Sequence, residues 1–257
     1  MNYKVNKKEP VLFIVKIFLT AFVLYGLYKY IAFLAAKAGQ AGAMMAIFAV
    51  YAVFIWLFFF FQKVFLVAYM KGNGVCVSAR QFPEIYAAYQ EMAAKLNLKK
   101  VPKLFILQQG GMLNAFAIRF SCRNYIAIYS DIFSVYESDL NAVKFVLGHE
   151  LGHVQRKHLS KNFWTFPSAI IPFVSKAYSR ACEFTCDNIG GGLIDSDRQN
   201  GIVLLAGGKD LYKKIDIDNY LEEAEQNRSF AVKFVGLTMT HPYLPKRIVN
   251  LRALDAK

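Results

Sequence analysis

A chain of 257 residues, 56% hydrophobic and only 19% charged, is long enough to bury a core and too apolar for intrinsic disorder. Its formal net charge of +13 is unevenly placed: residues 1–71 hold eight lysines and one acid, a net +7, which leaves +6 for the other 186 residues. Basic residues flanking the most apolar sequence mark a membrane protein and speak against a nucleic-acid binder, whose Lys/Arg runs lie in polar sequence.

The first predicted element is an apolar helix over about 11–36, interrupted by Lys16 and Lys29. Both lysines lie within two turns of an end, so their stems can snorkel to the membrane surface. A cleaved signal peptide, suggested by the small residues from Ala38 to Ala43, would carry a shorter apolar region than this. The second element, about 38–62, is free of charge over 25 residues. At about 1.5 Å per residue it crosses the roughly 30 Å hydrocarbon layer. Lys4, Lys7 and Lys8 precede the pair, and Lys63, Lys71 and Arg80 follow it, whereas the hairpin between holds little besides Lys37 and glycines. The positive-inside rule then puts everything after residue 71 in the cytoplasm. Residues 1–71 are thus expected to form a membrane anchor seated in the lipid bilayer, and 72–257 a separate domain.

In that domain Pro83 and Glu84 open a predicted amphipathic helix running to Leu96, closed by Asn97-Leu98-Lys99-Lys100. Strands are predicted over 102–107, 113–118 and 125–129, with Gly110-Gly111 breaking the first from the second. Ser138 is a candidate N-cap for a helix from Asp139 to His158 carrying Leu140, Val143, Leu147, Leu151 and Val154 on one stripe. The run Phe163–Val174, with Pro167 and Pro172, is too short to span a bilayer and is expected in the core rather than at the membrane face. Helical patterns resume over 179–190, 199–205 and 244–254, with Gly207-Gly208 as a break. Cys76, Cys122, Cys182 and Cys186 form no CxxC pair, so reduced thiols are expected rather than disulfides or a thiolate zinc site.

The chemistry is concentrated in His149-Glu150-Leu151-Gly152-His153, which fits the HExxH zinc pattern. On a helix, positions 149 and 153 lie about 40° apart in azimuth and one turn apart in height, so both imidazoles face one ion. Glu150, about 100° round, reaches a water beside that ion. The alternative, two solvated helical histidines, fits poorly with the adjoining apolar stripe and with three of the four histidines falling between 149 and 158. The positions that would carry the glycine and third histidine of a metzincin are Arg156 and Leu159, and His158 is off that spacing, as a residue near the helix C-terminus. Glu183 on a later helix is the better third ligand for a His₂Glu site, against the reading of an exposed acidic pair. Asp187, one turn on, is placed to accept a hydrogen bond from the second nitrogen of a ligand histidine.

Together, HELGH, the Ser179-Arg180-x-x-Glu183-Phe184-x-x-Asp187 segment, Asn114-Ala115-Phe116-Ala117 and His241-Pro242 before Lys246-Arg247-Ile248 resemble metallopeptidase family 48. That family includes HtpX-like membrane proteases, CAAX prenyl endopeptidases and OMA-type proteases, and the likeness covers roughly 80–255. It implies an α+β fold, a mainly helical gluzincin-type domain with a small sheet, and one zinc ion per chain held by His149, His153 and Glu183. It implies Glu150 as the catalytic base, His241 as an oxyanion stabiliser, and Asn114, Ala115 and Phe116 in a strand that pairs with substrate backbone. Protein or peptide substrates follow, with a non-catalytic zinc-site relative as the alternative that the intact Glu150 disfavours. Cys186 stands where the family usually has alanine, and only 29 residues separate His153 from Glu183, where HtpX-like members often insert two membrane helices.

Overall fold

A computed structural model describes residues 3–36, 40–108, 114–171 and 173–255. Lys37 and Ala38 of the expected hairpin, Gly110-Gly111, Leu113 and Pro172 lie outside the described residues. The fold is mainly helical with one small sheet, as expected.

Two long helices lead, α1 (Lys8–Ala36) and α2 (Gln40–Asn73). Within them Lys8–Leu34 and Ile47–Asn73 are long and apolar enough to cross a membrane, with mean hydropathies of 2.2 and 2.1. Most of their apolar side chains face outward, Phe22, Phe54 and Trp56 among them. The second helix runs eleven residues beyond Gln62, because Lys63 and Lys71 interrupt the apolar pattern without disfavouring helix.

The domain that follows contains β1 (Val75–Cys76), α3 (Pro83–Lys95), β2 (Lys103–Leu107), β3 (Ala115–Phe120), β4 (Arg123–Tyr129) and the short α4 (Ser130–Phe133). The strands form one sheet in the order β1-β2-β4-β3. β2 and β4 are parallel, whereas β3 runs antiparallel to β4 in the register Ala115 to Ile128. This ordering leaves β3 on an edge of the sheet, with no strand beyond it among the described residues.

On the sheet packs α5 (Leu140–Gln155), capped by Asp139 rather than Ser138: Asp139 Oδ1 accepts from Ala142 N at 2.9 Å. The helix stops three residues short of His158, because Lys157 takes the left-handed φ of 57° and starts α6 (His158–Trp164). His158 is therefore not the end of the helix from Asp139 but the first, buried residue of a new helix. A 3₁₀ turn (Phe166–Ile170) leads to α7 (Val174–Gly192). The expectation of a core segment at 163–174 fails here: Phe163, Trp164, Phe166 and Ile170 are exposed. Four further helices close the domain: α8 (Asn200–Leu211), α9 (Ile217–Gln226), α10 (Phe230–Thr238) and α11 (Leu244–Asp255). Gly208, at φ 76°, breaks the helical path where the Gly207-Gly208 pair predicts it.

The core is built around α5, whose Val143, Phe145, Leu147 and Leu151 are all at most 1% exposed. Glycine permits its closest approach to α7. A Cβ on Gly190 would lie 2.8 Å from the Phe145 carbonyl oxygen, and one on Gly148 would lie 3.1 Å from Gly190 Cα. This contact brings the side chains of α5 and α7 into one site.

Candidate metal centre

His149 and His153 leave one face of α5 a turn apart, and Glu183 projects from α7 to meet them. The two imidazole Nε2 atoms lie 3.2 Å from each other. Glu183 Oε1 is 3.3 Å from His153 Nε2, and Oε2 is 3.3 Å from His149 Nε2. Three electron-pair donors thus converge on one point. Glu183 is 5% exposed, and its Oε2 accepts no hydrogen bond. Burying a carboxylate oxygen without a donor is costly unless a cation serves it, so the donor set fits a divalent ion such as zinc. The electrostatics agree. Burial pulls the His149 pKa down, yet the Asp187 and Glu183 carboxylates outweigh it and raise it to about 10. Glu183, despite burial, is held well below the usual carboxylate range by His149 and His153. This is a site that seeks positive charge.

Asp187, one turn beyond Glu183 on α7, receives His149 Nδ1 at 2.9 Å. That contact assigns the proton to Nδ1 and leaves the Nε2 electron pair to the centre. Asp187 is itself fixed by Arg247 of α11, whose Nε and Nη2 donate at 2.8 and 2.6 Å. Arg247 is a residue that motif reading passed over, quoted within Lys246-Arg247-Ile248 but given no task. Only the return of α11 under α7 shows it.

The other ligand histidine is served from an unexpected place. His153 Nδ1 is 3.2 Å from His158 Nδ1, and His158 Nε2 is 3.2 Å from Oε1 of Glu9 in the first turn of α1. With the His153 Nε2 pair aimed at the centre, Nδ1–H donates to His158, whose own Nε2–H donates to Glu9. Burial pushes the His158 pKa down to about 4, so it serves as a neutral imidazole. Arg156 also donates to Glu9 Oε1, at 2.9 Å.

Two other donor groupings occur among the described residues. Cys186 lies within reach of His149 and His153, but its Sγ is 3.7 Å from His158 Nδ1, on the Nδ1 side of His153 and away from Glu183. Burial and the Glu183 carboxylate also push its thiol pKa well up, so it stays protonated. Glu9, His158 and Cys182 form the second grouping. There Arg156 and Lys161 already supply positive charge to Glu9, the latter at 3.8 Å. Neither rivals the His₂Glu set.

A cleft of roughly 230 Å³ opens over these ligands. Glu150, 7% exposed, lines it beside His149. Ala115, Phe116 and Ala117 of β3 form one wall. Asn114 is not on that wall: its side chain accepts from Ala115 N, and its carbonyl oxygen accepts from Tyr129 N. His241 stands on the exposed lip, with Nε2 3.5 Å from Glu183 Oε1 and Nδ1 3.0 Å from Thr240 Oγ1. The structure therefore brings together His149, Glu150, His153, Glu183, His241 and the β3 wall around one opening.

The family model described as Peptidase family M48 matches residues 79–166 and 162–255, more than half of the chain. No curated protein matches the sequence.

Proposed function

The chain belongs to peptidase family M48, and on that premise we propose that it is a membrane-anchored, zinc-dependent endopeptidase of the HtpX-like kind. Membership implies a metallopeptidase acting on proteins or peptides. The observation that carries the finer reading is the convergence of His149 Nε2, His153 Nε2 and the Glu183 carboxylate in a cleft that also holds Glu150. Residues 1–71 serve as the anchor and 72–257 as the peptidase domain, with the latter in the cytoplasm. The two long apolar helices and their flanking lysines support this arrangement.

His149, His153 and Glu183 would hold the metal, and a zinc ion bound there would supply Lewis acidity to the scissile carbonyl and to the attacking water. The Glu150 carboxylate takes the proton of that water as its oxygen adds to the carbonyl carbon, and returns it to the leaving amine as the C–N bond breaks. His241 Nε2 donates to the carbonyl oxygen as negative charge gathers on it. Asp187 and His158 keep the Nδ1 protons of the two ligand histidines in place, so that neither ring turns its electron pair away. The free edge of β3 pairs with the extended substrate backbone and positions the bond without reading its side chains.

Glu150→Gln separates binding from chemistry. The variant keeps its volume and one zinc per chain, and it loses peptide hydrolysis because an amide accepts no proton. Metal analysis beside peptide turnover checks this, and turnover equal to the parent would remove Glu150 from the mechanism.

A further inference from the structure

The exposed apolar residues of the α6–α7 connection form a surface that the peptidase chemistry does not use. Phe163, Trp164, Phe166, Ile170 and Phe173 are between 44% and 75% exposed. A patch of this kind on a folded domain marks a contact surface. Its occupant is identified by what surrounds it. The 3₁₀ turn packs against α1, one of the two long apolar helices.

The depth of the patch is set by two lysines. Lys63 is the first charge after the uncharged run of α2, and its Nζ lies 5.6 Å from the centroid of the Phe163 ring. Lys16 is the first charge within the apolar stretch of α1, and its Nζ donates to Asn162 Oδ1 at 3.0 Å. Both helices therefore place their boundary lysines against adjacent residues at the end of α6. One turn deeper on α2, Phe60 meets Phe120 at the far end of β3, ring centroids 6.2 Å apart. Lys157 and Lys176, which precede and follow the patch in sequence, are exposed and available to lipid headgroups. Tryptophan and phenylalanine between lysines are the residues that partition into the headgroup layer.

We propose that Phe163, Trp164, Phe166, Ile170 and Phe173 form an interfacial element that seats in the headgroup layer of the bilayer and holds the cleft at the membrane surface. The free edge of β3 then runs from that surface at Phe120 to the metal centre at Ala115, and the substrates it takes are extended segments emerging from the bilayer. The inference rests on the membrane-anchor reading above and adds to it a third contact, contributed by the peptidase domain.

The two tryptophans allow a test that separates the two readings. The full chain is placed in vesicles of phosphatidylcholine and phosphatidylglycerol, as Trp56→Phe to isolate Trp164 and as Trp164→Phe to isolate Trp56. Phospholipids carry a quenching spin label either beside the headgroup or near the end of the acyl chain. Trp164 is expected to lose more emission to the shallow label than to the deep one and to be shielded from aqueous iodide, while Trp56 loses more to the deep label. Trp164 quenched by iodide and by neither lipid label, with Trp56 still quenched by the deep label, overturns the interfacial element and leaves the anchor intact. Trp56 untouched by either lipid label overturns the anchor and this inference with it. In a second readout, the triple variant Phe163→Ser, Trp164→Ser, Phe166→Ser is expected to cleave a vesicle-tethered peptide more slowly than the parent and the free peptide equally fast. Equal rates on both peptides count against the proposal.

Discussion

Asp187 is wholly buried, yet it carries charge because Arg247 and His149 both face it. Burial alone would raise its pKa, and the guanidinium outweighs that effect and holds it down. Arg247→Met keeps the side-chain volume and leaves the buried Asp187 with His149 as its remaining charged partner. A loss of about 3–5 kcal/mol in stability is expected, read by denaturation in detergent. Glu183→Ala removes a ligand while leaving Arg247 and Asp187 paired, so zinc affinity falls by about ten- to a hundredfold or more while the fold persists. Unchanged metal content would return the search to Cys186 or Asp187. The raised pKa of His149 gives the metal-free protein a pH signature. Stability from the protonated imidazole is complete below the unfolded value of 6.5 and is lost as pH rises through about 10. Metal must displace that proton, so apparent zinc affinity should climb about tenfold per pH unit between those values, measured by competition with a chelator. A flat profile would mean that His149 binds no proton in the free site. HExxH was legible because its spacing is local to one helix turn. Arg247 and Glu9 were not, since their partners lie 60 and 147 positions away in the chain, and no periodicity links them.

The elements were legible where a hydrophobic stripe or a capping residue speaks for itself, as in α3, α5 and α11. They were misread where tertiary surroundings decide. An apolar run such as 163–174 says that water is avoided, but not whether protein or lipid replaces it. The ends of β3 shifted by two residues because pairing with β4, not local propensity, sets its register. Two changes probe elements rather than single contacts. Gly190→Ala places a methyl 2.8 Å from the Phe145 carbonyl oxygen and wedges α7 from α5, whereas Gly72→Ala meets no atom within 4 Å. Metal content and thermal stability should fall together in the first and hold in the second. On β3, Ala115→Pro removes an N–H and distorts the cleft edge, whereas Ala115→Ser does neither. Hydrolysis should collapse in the proline variant alone, with zinc and thermal stability retained in both; a folded proline variant that cleaves normally would show that substrate does not pair there.

For the whole molecule, the proposed cytoplasmic placement of the peptidase domain rests on the lysine-rich flanks of α1 and α2. Cys76 is exposed just past α2 and reports on this directly once the other exposed thiol is removed by Cys122→Ser. An impermeant maleimide should label it only after the cells are opened, and labelling of intact cells would reverse the topology. The contact of Glu9 with Arg156 and His158 reaches further than stability. The first turn of α1 fills a place inside the catalytic architecture, and α1 packs along α7. Synthesis proceeds from the N-terminus, so α1 leaves the ribosome, and is committed to its destination, well before α5 and α7 exist. The last helices must then close around a carboxylate that is already fixed in place. If α1 seats in a bilayer, that seating also fixes Glu9 beside His158, and through His158 the ring of His153. The same arithmetic tells the protein chemist that cutting away the hydrophobic leader to obtain a soluble enzyme removes a piece of the active site's own scaffold.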